Sequence, residues 1–143
     1  MEGIAADILI RRLTKMIRPL LDTEYVVVKQ LFLSLFLSTD EFRRVWDSRH
    51  KEASLGLFQG GLIGVALVRG HKLEYICIDG SHQSKGWGSV LLQEVLSICP
   101  NLYLIPVENP AVCRWYEKQG FHLENSAARR YVRHTHQLRN NTI

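Results

Sequence analysis

Apolar and polar residues alternate with different periods along this chain, and the changes of period predict its elements. "DILIRRL", residues 7–13, alternates weakly and predicts a first strand. Pro19 suits a first helical position. Residues 20–37 would be apolar on nearly every side of a helix, which predicts a helix that is deeply buried or covered by a partner. "STDEFRRVW", 38–46, opens on capping residues and an acidic first turn, so a second helix follows. The period then drops to two. "ASLGLF" (53–58) and "LIGVALV" (62–68), joined by "QGG", read as a β-hairpin, and "KLEYICI" (72–78) adds a third strand after "RGH".

Beyond residue 80 helix and strand alternate. "GSVLLQEVLSIC", 88–99, places Leu91, Val95 and Cys99 on one helical face, and Pro100 stops it. "LYLIPV", 102–107, reads as a strand. "NPAVCRWYEKQG", 109–120, is punctuated as a helix: Asn109 caps, Pro110 fits the first turn and Gly120 fits the left-handed stop. "FHL" and "RRYVRH" close the series as strands. The order is that of a single α/β domain, residues 1–143, with a mixed sheet.

Composition narrows the function classes. The net charge is +4 and the sequence pI near 9.1, which suits an anionic ligand but not nucleic acid by itself. The basic pairs are scattered, and no aromatic-basic stripe marks the strands. The three cysteines form no CxxC and sit in apolar settings, as in a reduced intracellular, cytoplasmic protein. No metal constellation stands out; His134 and His136 lie in a polar tail. The start shows no secretory signal. The run 25–37 is interrupted by Lys29 and Gln30 and is shorter than the roughly 20 apolar residues of a membrane span.

"QSKGWGS", 83–89, lies between a strand and a helix, where free N–H groups and the helix dipole attract anions. Gly86 and Gly88 let phosphate oxygens approach the main chain. Lys85 adds charge and Ser89 a hydroxyl. A P-loop is excluded because Trp87 follows Gly86, and a dinucleotide fingerprint because Leu91 stands where a glycine is required. A glycine-rich turn without a ligand remains the plain alternative.

Two stretches together change that reading. "LEYICIDGSHQSKGWGSVLL" followed by "VENPAVCRWYEKQGF" resembles the GNAT superfamily of acetyl-CoA-dependent N-acetyltransferases. The first matches Q/R-x-x-G-x-G/A through Gln83, Gly86 and Gly88. The second matches N-x-x-A-x-x-x-Y-x-x-x-G-F through Asn109, Tyr116, Gly120 and Phe121, with Val112 in place of the usual alanine. The likeness covers residues 54–125. It implies a mostly antiparallel mixed sheet, flanked by helices, in which a central pair of parallel strands splays apart. The pantetheine arm would lie in that wedge on the backbones of Ile76 and Ile78, with Cys77 between them. The pyrophosphate would fall on residues Gln83, Ser84, Lys85, Gly86, Trp87, Gly88 and Ser89. Asn109 and Tyr116 complete the cofactor set. Trp87 can stack on adenine or simply pack.

Acetyl transfer to an amine requires removal of a proton from nitrogen, a donor for the oxyanion and a proton for the departing thiolate. The resemblance gives Tyr116 the last task as general acid, although the tyrosine can also merely pack beside Val112 and Trp115. Glu74 is the candidate base, since strict alternation puts it on the face of Ile76; pairing with an arginine is its structural alternative. Cys113 is too unusual a nucleophile for the family. The resemblance implies direct attack in a ternary complex. A small amine or polyamine is the first substrate expectation, on the strength of Glu74, Asp40, Glu41, Asp47 and Glu52. A protein N-terminus or lysine comes second and an amino-sugar phosphate third. A non-catalytic acyl-CoA-binding module is the rival class. No nucleic-acid or membrane partner is expected, and the apolar helix allows a homodimer.

Overall fold

"LIGVALV" is apolar at every position, and it becomes the strand that is covered on both faces. In the computed structural model, which describes residues 16–133, it forms β3 (Leu62–Arg69), the third of the seven strands in the sheet. The strand expected at 7–13 and the pair His134 and His136 lie outside the described residues. The remaining strands are β1 (Ile17–Pro19), β2 (Leu55–Phe58), β4 (Lys72–Ile78), β5 (Tyr103–Leu104), β6 (Phe121–Asn125) and β7 (Arg130–Arg133). The helices are α1 (Tyr25–Ser34), α2 (Phe42–Asp47), α3 (Trp87–Ile98) and α4 (Pro110–Lys118). The strands make one sheet in the order β1-β2-β3-β4-β5-β7-β6. β4 and β5 run parallel, and the other neighbours are antiparallel.

Alternation along β3 divides the core. Val65 and Leu67 face one cluster with Val28, Phe32, Phe42, Val45 and Trp46 of α1 and α2. Ala66 and Val68 face the other, with Leu91, Leu92, Val95 and Leu96 of α3, and Ile63 joins them because it is the extra residue of a bulge opposite Leu57 and Phe58. Phe32 is fully buried, with ring centroids 4.9 Å from both Phe42 and Tyr75. Ser54 is also fully buried, and its hydroxyl meets both main-chain groups of Val68, donating at 3.2 Å and accepting at 3.0 Å. That exchange satisfies polar atoms where the ladder stops.

The first third of the chain departs from the periodicity. Pro19 does not open a helix. It ends β1, paired with Leu55, and an edge strand tolerates a residue with no N–H to donate. Helix formation waits for a polar lock: Glu24 accepts from the Leu21 N–H at 2.7 Å while Arg18 grips its carboxylate at 2.9 and 2.8 Å. The expected helix over 20–37 is therefore shorter, and it stops at Ser34 with Phe36 in the left-handed region at φ 58°. The second helix begins at Phe42, not at 38, after a turn in which the Ser38 hydroxyl accepts from the Asp40 N–H. α1 keeps Val26 and Leu33 on its outer side, 62% and 54% exposed, so it is covered on one side only. Among the described residues no helix is long and apolar enough to cross a membrane.

Phe32→Ala should cost about 3–5 kcal/mol, the usual loss for emptying a buried phenylalanine site. Urea denaturation followed by tryptophan fluorescence measures it; a loss below about 1 kcal/mol would mean that α1 is not anchored to the sheet through this ring.

Candidate active site

β4 and β5 share one register pair, Lys72 with Tyr103, and the Tyr103 N–H donates to the His71 carbonyl at 2.9 Å. Past that point β4 runs on to Ile78. β5 ends at Leu104 rather than reaching 107 as expected, and Pro106 turns away with its carbonyl accepting from Arg129 at 2.9 Å. One edge of β4 thus has no strand beside it over most of its length among the described residues. The ladder on the other edge identifies the groups left open. The Asp79 N–H donates to the Ile63 carbonyl at 2.7 Å. Bonded and non-bonded pairs alternate in an antiparallel ladder, so Cys77 bonds with Val65 while Ile76 and Ile78 turn their main-chain groups to the open edge. Gln83 reaches across that edge, its Nε2 donating to the Ile78 carbonyl at 2.8 Å.

The loop after β4 is shaped by two left-handed residues, Ser84 at φ 63° and Gly86 at φ 86°. Gly86 is the N-cap of α3, whose first amides have no partner within the helix. Gly88, by contrast, is not required to be glycine by its backbone or by close packing. A Cβ there would lie 3.4 Å from Cζ2 of Trp115, so the indole of α4 rests against bare backbone. A second tie joins the two helices: the Gln119 Nε2 donates to the Ser89 hydroxyl at 2.9 Å.

Between the open edge and these helices lies a cleft of about 760 Å³. Ile76, Cys77 and Ile78 line it from β4, and Gln83, Ser84, Gly86, Gly88 and Ser89 from the loop and α3. Ala111, Val112, Trp115 and Tyr116 line it from α4, and Leu35 and Leu37 from the connection after α1. None of these is charged. A smaller hollow of about 380 Å³ beside α2 is polar, but its charges already pair with one another, Arg49 and Lys51 with Asp22 and Arg43 with Asp47.

Tyr116 is 8% exposed, packed at 5.0 Å from the Trp115 ring and 5.9 Å from the Phe121 ring. Burial pushes its phenol up to about 12, so it holds its proton at neutral pH. Burial likewise pushes the Cys77 thiol up to about 12, so Cys77 is a neutral wall of the cleft and not a thiolate.

The other candidates lie elsewhere. Lys85 is exposed and does not line the cleft, and Trp87 packs its half-buried ring on the α3 core. Asn109 works as a cap, its Oδ1 accepting from the amides of Ala111 and Val112 at 2.9 and 3.3 Å. Cys113 lies against Val107 and Tyr131, also outside the lining. For Glu74 the alternation argument fails. The register shifts so that Leu67 opposes Tyr75 and Val68 opposes Leu73, leaving Glu74 as the extra residue of a β-bulge. Leu73, Ile76 and Ile78 share one core, which strict alternation from Glu74 does not allow. Its carboxylate accepts from Arg69 at 3.0 Å, with the Lys72 ammonium at 3.6 Å, and it does not line the cleft. The sequence marks Val112 only as the residue at the motif's alanine position beside Tyr116, Trp115 only as a neighbour of Tyr116, and Leu35 and Leu37 only as part of an apolar run.

Residues 50–123, just over half of the chain, match a family model described as "Acetyltransferase (GNAT) domain". Curated protein sequences give no match. Solved structures share the fold at low identity. Ard1 from Thermoplasma volcanium is 16% identical, with a TM-score of 0.63 over 81% of this chain and 92% of that one. Arabidopsis thaliana Naa50, solved with the bisubstrate analogue CoA-Ac-MVNAL, is 17% identical, with 0.63 over 81% and 93%. The ribosomal-protein-S18-alanine N-acetyltransferase of Escherichia coli is 19% identical, with 0.61 over 81% and 88%.

The two loop glycines should respond differently to alanine. Gly86→Ala should cost about 1–2 kcal/mol through its left-handed backbone, although nothing stands within 4 Å of the added carbon. Gly88→Ala should be neutral or slightly stabilising, since its Cβ meets the indole at ordinary contact and alanine favours a helix. Urea midpoints of the two variants check the order, and equal losses would contradict it.

Proposed function

The chain belongs to the GNAT acetyltransferases, and from that premise we propose that it moves an acetyl group from acetyl-CoA to the α-amino group of a protein N-terminus. The cleft carries this reading: an unpaired strand edge beside a helix N-terminus, with a buried phenol and no charged side chain in the lining. The open-edge main-chain groups of Ile76 and the Ile78 N–H accept an amide-bearing arm as an added strand would be accepted, with the Ile78 carbonyl already bonded to Gln83. The amides opening α3 take the pyrophosphate. Attack by the amine nitrogen on the acetyl carbon forms the C–N bond and breaks C–S. Tyr116 delivers a proton to the departing sulfur, and the nitrogen loses one in exchange.

The uncharged lining also selects among acceptors. A polyamine or lysine amine has a pKa near 10.4 and needs a base, whereas an α-amino group near 7.7–8.0 is already neutral in about a fifth to a quarter of molecules at physiological pH. No carboxylate lines the cleft to serve as that base or to hold a cation. Of the acids that favoured a polyamine, Glu74, Glu41 and Asp47 are paired with Arg69, Arg44 and Arg43. The neighbours named for an S18-alanine acetyltransferase and for a complex with CoA-Ac-MVNAL lend support to a polypeptide acceptor.

Tyr116→Phe decides the chemistry. It keeps the ring, so the melt should be little changed, while turnover falls by roughly 10²–10⁴-fold. Stabilisation by acetyl-CoA should survive, at about 2.7 kcal/mol when ligand is 100 times its dissociation constant. A folded Phe variant with more than about half of wild-type turnover, chemistry being rate-limiting, removes the phenol from the mechanism.

Glu74→Gln separates an ion pair from a base. With the carboxylate held outside the cleft, turnover should stay within about threefold of wild type and the acid limb should still follow the α-amine of the acceptor. A loss of about 10²-fold with a flattened acid limb would return the base role to Glu74.

A further inference from the structure

β4 ends at Ile78, and the last acceptor on its open edge is already in use. The Gln83 Nε2 donates to the Ile78 carbonyl at 2.8 Å. A side-chain amide thus makes the bond that a neighbouring strand would make. Gln83 is exposed and also lines the cleft. Holding an exposed glutamine in one rotamer costs entropy, so its position needs a cause.

The loop after β4 provides that cause. The Asp79 carboxylate accepts from the Ser81 hydroxyl at 2.8 Å and lies 3.1 Å from the His82 Nδ1. The His82 N–H donates to the Asp79 carbonyl at 2.9 Å, which closes the turn Gly80–His82. Gln83 follows in extended backbone at ψ 159°, and Ser84 takes φ 63°, where a residue with a Cβ is strained. A closed turn on one side and a strained residue on the other fix Gln83 across the strand edge.

We propose that Gln83 is a displaceable cap on this edge, and that the cap makes the site choose donors by what lies beyond the arm. A thioester whose arm carries a diphosphate is favoured over one that consists of the pantetheine arm alone. The inference rests on the placement of the arm along β4 proposed above. An arm that pairs with the whole edge takes the Ile78 carbonyl from Gln83, and the displaced amide then needs another acceptor. No charged side chain lines the cleft to offer one. A diphosphate at the first amides of α3 brings charged oxygens to the loop that carries Gln83, three residues before the N-cap Gly86. An amide bonded to a charged oxygen is held more strongly than one bonded to a carbonyl. Coenzyme A therefore replaces the bond that it breaks with a stronger one, whereas the bare arm leaves the amide to water.

Titration calorimetry of the full chain with coenzyme A and with pantetheine tests the cap without any acceptor. Gln83→Met keeps the length of the side chain and removes the donor. It should bind pantetheine about 3- to 10-fold more tightly than wild type, the worth of one neutral hydrogen bond, and coenzyme A no more tightly than wild type. Gln83→Glu cannot donate to the carbonyl and repels phosphate. It should keep the gain for pantetheine and weaken coenzyme A by about 10-fold or more. Unchanged pantetheine affinity in both variants, with coenzyme A weakened, overturns the cap and leaves Gln83 as a phosphate contact only. An equal gain for both ligands overturns the discrimination. Weaker binding of both ligands, with a lowered melting temperature, overturns the cap in favour of a structural role in the turn. A wild type that binds neither ligand overturns the placement of the arm and the proposed function together.

Discussion

A parallel strand pair that meets at one position and then separates leaves main-chain groups that the protein itself does not satisfy. Most of this structure follows from that separation. Lys72 and Tyr103 form the hinge, and Pro106 carries the later strand away. In the open cleft, water can satisfy the main-chain groups of Ile76 and the Ile78 N–H, while Gln83 satisfies the Ile78 carbonyl, but an apolar ligand that displaced this water would strand buried N–H and C=O groups at about 1–3 kcal/mol each. Only an occupant with donors and acceptors at strand spacing fits without that penalty. The edge is thus selective through its backbone, which explains how apolar side chains can line a site for a polar molecule.

The two helices that close the wedge are joined to one another, not only to the sheet. Trp115 lies against the bare backbone at Gly88, and Gln119 reaches Ser89. The end of the cleft expected to hold phosphate and the end holding the phenol are therefore one packed unit. Gly88 serves this packing as well as any approach of phosphate. A side chain there would act through the indole before it met a ligand.

The sheet after residue 53 and the helices at 88–99 and 109–120 were legible because their signals are local: period-two runs, a capping asparagine, a proline stop. The cleft lining around Gln83, Gly86, Gly88 and Tyr116 was legible through motif spacing. What escaped was set by tertiary contact. Pro19 could sit in a strand because β1 is an edge, and edges are not written in a local window. The end of α1 carries no punctuation, so the left-handed Phe36 was invisible. Glu74 misled for a related reason. Alternation assumes an unbroken ladder, and one bulge residue breaks the parity on which the argument depended.

The proposed acid makes a physical demand on the reaction. A phenol pushed up to about 12 stays protonated, which makes it available as a donor. The same burial would raise a thiolate departing into the cleft, as it raises the Cys77 thiol, so the phenol and the leaving sulfur are closer in proton affinity there than in water. On the proposed mechanism the proton passes as C–S breaks, while the attacking nitrogen turns positive and becomes more acidic than the phenol. Charge then appears and disappears within one step, which a lining without fixed charges tolerates better than a sequence of separated ions. On this account the apolar character of the cleft, the raised phenol and an acceptor amine that arrives neutral are three consequences of one low-dielectric site.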